Sequence, residues 1–145
     1  MTPFERRVRA LVYAAFIDTG HAPDIRTLCG AAGASAADVS AALRRLAELH
    51  ALVLEPDTAR IWMAHPFSGR LTPFPVEARG RRYFANCAWD AAGVLTIVGD
   101  GRCATPCGDC GGEMTFSVDA GAIAGGGAVH FAVPARRFWD DIAFT

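Results

Sequence analysis

The sequence predicts an α+β protein. It reads as an N-terminal winged-helix-like helical domain over residues 1–65, a proline-rich linker over 66–75, and a small α+β domain over 76–145. Three observations lead there. Three segments with helical spacing are followed by a hairpin pattern. A stretch containing Pro66, Pro73 and Pro75 interrupts both periods. Beyond it, one helix signal stands among short β signals.

The first helix carries Phe4, Val8, Leu11, Val12, Ala15 and Phe16 on one face, with Arg6, Arg7 and Arg9 off it, and Gly20 ends it. Pro23 and Asp24 open a second short helix that runs through Cys29 and closes around Gly30 to Gly33. Ser35 is placed to cap a third, with Asp38 three residues on and Val39, Leu43, Leu46 and Leu49 as its apolar face. Leu52–Glu55 and Ala59–Met63 then read as two strands about a Pro56-Asp57-Thr58 turn. In many proteins such a module binds DNA through its third helix. Here residues 1–65 hold seven arginines and seven acidic residues, and the third helix offers only Arg44 and Arg45 beside Asp38 and Glu48. Without a basic stripe, the module is expected to pack or dimerise, and nucleic acid is not an expected partner.

Val76-Glu77-Ala78 reads as a strand and Arg79–Arg82 as a turn. Asn86 can cap a helix starting at Cys87. Gly101–Ala104, Glu113–Val118 and Val129–Pro134 give β signals, with Gly121 and Gly125-Gly126-Gly127 as a flexible connection between the last two. Arg137–Asp141 reads as a final helical turn.

Composition narrows the chemistry. With 145 residues, 52% hydrophobic and 20% charged, the chain suits one ordinary domain or two small subdomains sharing a core. That excludes a disordered chain, and no glycine triplet or heptad persists. No apolar run reaches the roughly 18 residues of a membrane helix. A net charge of -1 gives no overall attraction to nucleic acid or anionic lipid. All 14 basic residues are arginine, which excludes a Schiff-base or P-loop lysine. Met1–Arg6 lacks the apolar stretch of a secretory signal, so a cytoplasmic location is expected.

The cysteines are Cys29, Cys87, Cys103, Cys107 and Cys110. Their odd number and the expected compartment favour free thiols or metal ligands over a disulfide framework. Cys107-Gly108-Asp109-Cys110 has the spacing of a zinc-knuckle half-site, with Cys103 as a candidate third ligand and His130, His65 or Cys87 as a fourth. A redox pair or plain turn chemistry fits the same spacing. Cys87 and Asp90 stand three apart on the expected helix, hence on one face. In the first helical turn, Cys87 is expected to be favoured as a thiolate by free N–H groups and the helix dipole. A thiolate beside a carboxylate pairs a soft metal ligand with a proton carrier.

Asn86-Cys87-Ala88-Trp89-Asp90-Ala91-Ala92-Gly93, preceded by Tyr83-Phe84-Ala85, resembles the core of the organomercurial lyase (alkylmercury lyase) family. The resemblance runs from about residue 5 to the C-terminus. It takes in the helical N-terminal region, Pro66-Phe67-Ser68, Thr105-Pro106-Cys107 before a strand ending in Ser117-Val118, Val133-Pro134, and Arg136-Arg137-Phe138-Trp139-Asp140-Asp141-Ile142. It implies an alkylmercury-lyase type of α+β domain and protonolysis of a carbon–mercury bond. Cys87 would be the thiolate that captures mercury and Asp90 the proton relay to the departing carbon. Small thiols would remove the product ion.

The chain departs from the family pattern at one position. Where the family carries its second catalytic cysteine, after a Phe in the segment matching Arg137–Asp140, this chain has Trp139 and Asp140, and no cysteine follows Cys110. The given residues also end at Thr145, before the C-terminal region that follows in the lyases. The expectation is therefore a divergent member that binds an organomercurial or another soft metal species at Cys87, with Cys103, Cys107 and Cys110 as further metal ligands. No cofactor is required; a bound mercury, zinc or copper ion is the expected occupant. The alternatives are a metal-responsive or DNA-associated regulator, and a cysteine-dependent enzyme of other chemistry on the same fold. Of the remaining residues, Cys29 is expected in the core, His130 solvated, His21 and His50 at helix ends, and Trp62, Trp89 and Trp139 in the core or lining an apolar pocket.

Overall fold

The computed structural model describes residues 1–143. α1 spans Pro3–Thr19. Thr2 caps it: its hydroxyl accepts from the Glu5 N–H, while the Glu5 carboxylate accepts from the Thr2 N–H at 2.7 Å. Pro3 at the first position costs no hydrogen bond. Gly20 ends the helix in the left-handed region, at φ 80°. A Cβ there would also run into the Arg82 carbonyl oxygen, so glycine is required twice over. α2 (Ile25–Ala32) is capped by Asp24 and α3 (Ala36–Glu48) by Ser35. Val8, Val12 and Phe16 of α1 and Val39, Ala42, Leu43 and Leu46 of α3 are buried, the spacing of apolar stripes turned to one core.

β1 (Val53–Leu54), β2 (Ile61–Ala64) and β3 (Phe67–Ser68) form an antiparallel sheet in that order. β3 lies inside the expected linker, and the peptide between His65 and Pro66 is cis. β4 (Pro75–Ala78) and β5 (Arg81–Phe84) make a hairpin through Arg79 and Gly80, both at positive φ. The expected turn is thus only two residues, and Arg81 and Arg82 belong to the strand. α4 spans Ala88–Val98, followed by β6 (Gly101–Pro106), β7 (Glu113–Asp119) and β8 (Ala122–Gly125). The second sheet is antiparallel, in the order β5-β4-β6-β7-β8.

The strand expected at Val129–Pro134 does not form; its place at the sheet edge is taken by β8. Ala120 and Gly121, at φ 48° and 79°, close a two-residue hairpin turn that folds Ala122–Gly125 back onto β7. A 3₁₀ helix at Ala135–Asp140 matches the expected final turn.

α4 packs on β4 and β6 through Ala91, Val94, Leu95 and Val98, all buried. Buried residues from both sheets and from α1 to α4 belong to one apolar cluster. Phe67 sits at its centre. It is fully buried, stacks on Phe16 at 5.2 Å between ring centroids, and lies 6.1 Å from the Tyr83 ring. Two contacts tie the second sheet to the first helix: Tyr83 Oη donates to the Ile17 carbonyl at 3.0 Å, and Arg82 runs against Gly20. Among the described residues no helix is long and apolar enough to cross a membrane.

Candidate functional site

The site grows from the meeting of three segments. An isolated bridge between Phe67 and Ala85 brings the end of β5 to the end of β3. Ala85 is fixed further by the Thr72 hydroxyl, which donates to its carbonyl at 2.6 Å. α4 starts two residues on. Gly93 lets α4 close onto the His65–Pro66 segment, since a Cβ there would sit 3.0 Å from Pro66 Cβ. Asp90, one turn earlier on the same face, therefore meets His65.

Cys87 is the N-cap of α4, one residue later than the sequence suggested, and its sulfur accepts the Asp90 N–H at 3.5 Å. Asn86 is drawn inward instead of capping. Its Nδ2 donates to Asp90 Oδ2 at 2.9 Å and lies 3.4 Å from the carbonyl oxygens of both Pro66 and Phe67. His65 Nδ1 lies 3.4 Å from the same Asp90 oxygen. The Asp90 side chain is only 17% exposed. Its carboxylate is thus held by one firm hydrogen bond and one longer imidazole contact. The Tyr13 hydroxyl donates to the His65 carbonyl at 2.9 Å, so α1 helps to hold this corner. Trp139 presents its ring to His65 edge-on at 6.1 Å and stacks on His50 at 4.1 Å. Among the described residues two buried side-chain atoms have no hydrogen-bond partner, His65 Nε2 and Asn86 Oδ1, and both belong to this corner.

Burial pushes the Cys87 thiol above its ordinary range. The N–H groups of Asp90 and Trp89 pull the other way without prevailing, and the Asp90 charge adds a little to the rise. The thiolate expected from the helix terminus is thus opposed by desolvation of the half-buried sulfur. A soft cation would reverse the balance, because binding itself displaces the proton.

The other sulfurs do not join Cys87. Cys103 is fully buried in β6, opposite Val76 and Phe116, and burial pushes its thiol up to about 11. Cys107 and Cys110 sit in the β6–β7 turn, half-buried and exposed respectively. Among the described residues no three His, Cys, Asp or Glu side chains gather as a metal site, so the expected ligand set of Cys87, Cys103, Cys107 and Cys110 is not assembled. The physical reason is the extended rise of the strand: Cys103 takes an inward position of β6, while the Cys-x-x-Cys pair is carried beyond the end of that strand.

Cys29 packs against the core, and His130 is exposed. The three tryptophans share no pocket. Arg70 lies over Trp62, Trp139 stacks on His50, and Trp89, 61% exposed, begins an aromatic run with Phe131 and Phe138. Asp140 accepts from Arg137 Nε at 2.8 Å. The sequence offered His65 only as a spare metal ligand. Its place straight after the apolar run Ile61–Ala64 was the available signal that it would be held against the core.

No protein-family model matches this sequence, and no curated protein matches it. Among solved structures the chain is similar to the crystal structure of the mercury-bound form of MerB2. The TM-score is 0.66 and the identity 24%, over 86% of this chain and 59% of the other. The chain therefore shares the α+β fold of that protein and spans about three fifths of its length.

Proposed function

We propose that this chain binds an organomercurial or a related soft metal species through Cys87, and that Asp90 moves the proton that splits a carbon–mercury bond. The observation that carries the reading is the Cys87–Asp90 pair, one helical turn apart and joined through the Asp90 N–H, in a corner whose carboxylate is held by Asn86 and faced by His65. The fold shared with a mercury-bound protein supports it, as does the resemblance of residues 83–93 to the organomercurial lyases.

Capture breaks the Cys87 S–H bond and forms S–Hg; the proton passes to Asp90 or to solvent. Thiolate and mercury suit each other because both are soft. In the second step protonated Asp90 gives its proton to the carbon. The C–Hg electron pair becomes the new C–H bond, the hydrocarbon leaves, and mercury(II) stays on Cys87 until small thiols remove it. Asn86 and His65 hold the carboxylate where the proton is needed. Trp89, with Phe131 and Phe138, offers an apolar surface beside Cys87 for the organic group. Trp139 stands where the lyases carry a second cysteine, so the second ligand to mercury comes from a small thiol. Residues 1–65 serve as a winged-helix-like packing unit whose Tyr13 steadies His65.

Phenylmercury is the test substrate. The wild-type chain is expected to give an adduct on Cys87 by peptide mass and to release benzene when a small thiol is present. Cys87→Ser loses the adduct. Asp90→Asn keeps the adduct and releases no benzene. A Cys87→Ser chain that still releases benzene from phenylmercury as the wild type does would overturn the reading, whereas an adduct on Cys87 without benzene from the wild type would reduce it to binding alone.

A further inference from the structure

The β6–β7 turn carries two sulfurs that the Cys87 corner does not use. The strands pair as far as Pro106 and Glu113, leaving residues 107–112 as the connection. That connection is closed twice. The Cys107 N–H donates to the Gly112 carbonyl at 2.7 Å, and the Gly111 N–H donates to the Cys107 carbonyl at 2.9 Å. Gly111 at φ 72° makes the return possible. Inside this loop the N–H groups of Asp109 and Cys110 and the Cys110 thiol are all directed at the Cys107 sulfur. The Gly111 bond closes one helical-type turn, in which positions three apart share a face, so Cys107 and Cys110 stand on one side of a tied turn, with Cys110 open to solvent. Asp109 and Glu113 add acidic charge beside the pair.

The ligand number selects the ion. Structural zinc takes four ligands in a tetrahedron, and among the described residues no three candidate ligands gather. Thiolates select soft ions, and among these mercury(II) and copper(I) are satisfied by two sulfurs in a line. We propose that the Cys107–Cys110 turn is a second thiolate site, separate from Cys87, that chelates one two-coordinate soft cation such as mercury(II) or copper(I). With mercury(II), two S–H bonds break, two S–Hg bonds form and two protons pass to solvent; no electrons change hands. The site does not depend on any reaction at Cys87. Its advantage over a lone thiol is chelation: once one sulfur holds the ion, the second acts at high effective concentration.

The test uses the fully reduced chain, mercury(II) chloride and a competing monothiol. After desalting, the wild type and Cys87→Ser are each expected to retain one mercury per chain. Cys107→Ser and Cys110→Ser should release it at a monothiol concentration about a hundredfold lower, the scale of a chelate advantage. Circular dichroism checks that the variants fold; should either fail, alkylation of Cys110 in the folded wild type must abolish retention in its place. A Cys110→Ser chain as retentive as the wild type overturns the proposal. So does loss of mercury in Cys87→Ser, which would place the ion at Cys87. Phenylmercury needs only one sulfur, so peptide mass separates its adduct on Cys87 from any on Cys107 or Cys110, and benzene release reports on the Cys87 corner alone.

Discussion

Cys87 and Cys107 are built alike locally and behave in opposite ways. Each opens a turn whose following N–H groups point back at its sulfur: those of Trp89 and Asp90 at Cys87, those of Asp109 and Cys110 at Cys107. Burial drives the Cys87 thiol up, whereas on the exposed turn the same kind of donors hold the Cys107 thiol below its ordinary range. Local backbone geometry thus supplies a similar push toward thiolate in both places, and desolvation decides which sulfur keeps its proton. A protected thiol in a corner with a carboxylate suits capture coupled to proton transfer. A pair whose second sulfur, Cys110, is exposed suits open exchange of an ion.

The hardest way to break the contrast is to loosen the core that carries the Cys87 corner. Phe67 is fully buried; it stacks on Phe16 and bridges to Ala85, two residues before Cys87. Phe67→Ala is expected to cost about 3–5 kcal/mol, the range for a buried phenylalanine cut to alanine, read from chemical denaturation. The Cys107–Cys110 turn, tied by its own backbone bonds, should keep its mercury retention. Equal loss at both sites would show that the turn depends on the same core.

Much of the helical part of this molecule was legible because its signals are local. Thr2 is an exception that only the structure revealed, but Gly20, Asp24 and Ser35 each act within four residues of themselves. The Cys87–Asp90 spacing was legible for the same reason. What escaped depends on distant pairing. β3 is two residues, too short to alternate, and exists because β2 lies beside it. β8 is exposed throughout and ends in glycine, so nothing in its pattern marks a strand; the Ala120-Gly121 turn makes it one. His65 meets Asp90 across 25 positions, and Asn86 is turned from capping by acceptors on β3. The four-cysteine ligand set failed for a related reason: four residues of extended chain carry Cys107 roughly 13 Å beyond Cys103, too far to share an ion.

Cys103 extends the comparison to a sulfur on which burial acts without an opposing donor. Its thiol is pushed up to about 11 from an ordinary 9.0, by burial alone. Below about pH 9 the folded and unfolded chains both keep this proton. As pH rises from there toward 11, the unfolded thiol ionises first and the native state loses stability. The loss is expected to approach about 3 kcal/mol once pH passes 11, the linkage value of a shift of that size. Cys103→Ala, though less stable at neutral pH, should show a flatter decline across this window in denaturation curves at stepped pH. An unchanged slope would mean that burial does not hold the proton there.

The smallest expected effect leaves stability untouched and reads the contrast directly. Only the thiolate attacks iodoacetamide, so the pH dependence of alkylation at each cysteine follows its ionisation. In the native chain, with sites resolved by peptide mass, the Cys107 profile should rise at lower pH than that of an ordinary thiol and the Cys87 profile at higher pH. Access also differs between the sites, which changes the plateau rate but not the midpoint. In Phe67→Ala, if the chain stays folded, the Cys87 midpoint should fall toward the ordinary value while that of Cys107 stays in place. A Cys87 midpoint at or below that of Cys107 in the wild type would mean that the N–H groups at the start of α4 outweigh burial. The corner would then hold a standing thiolate beside the Asp90 carboxylate, and the proton for the carbon would have to come from His65 or from solvent rather than from the thiol.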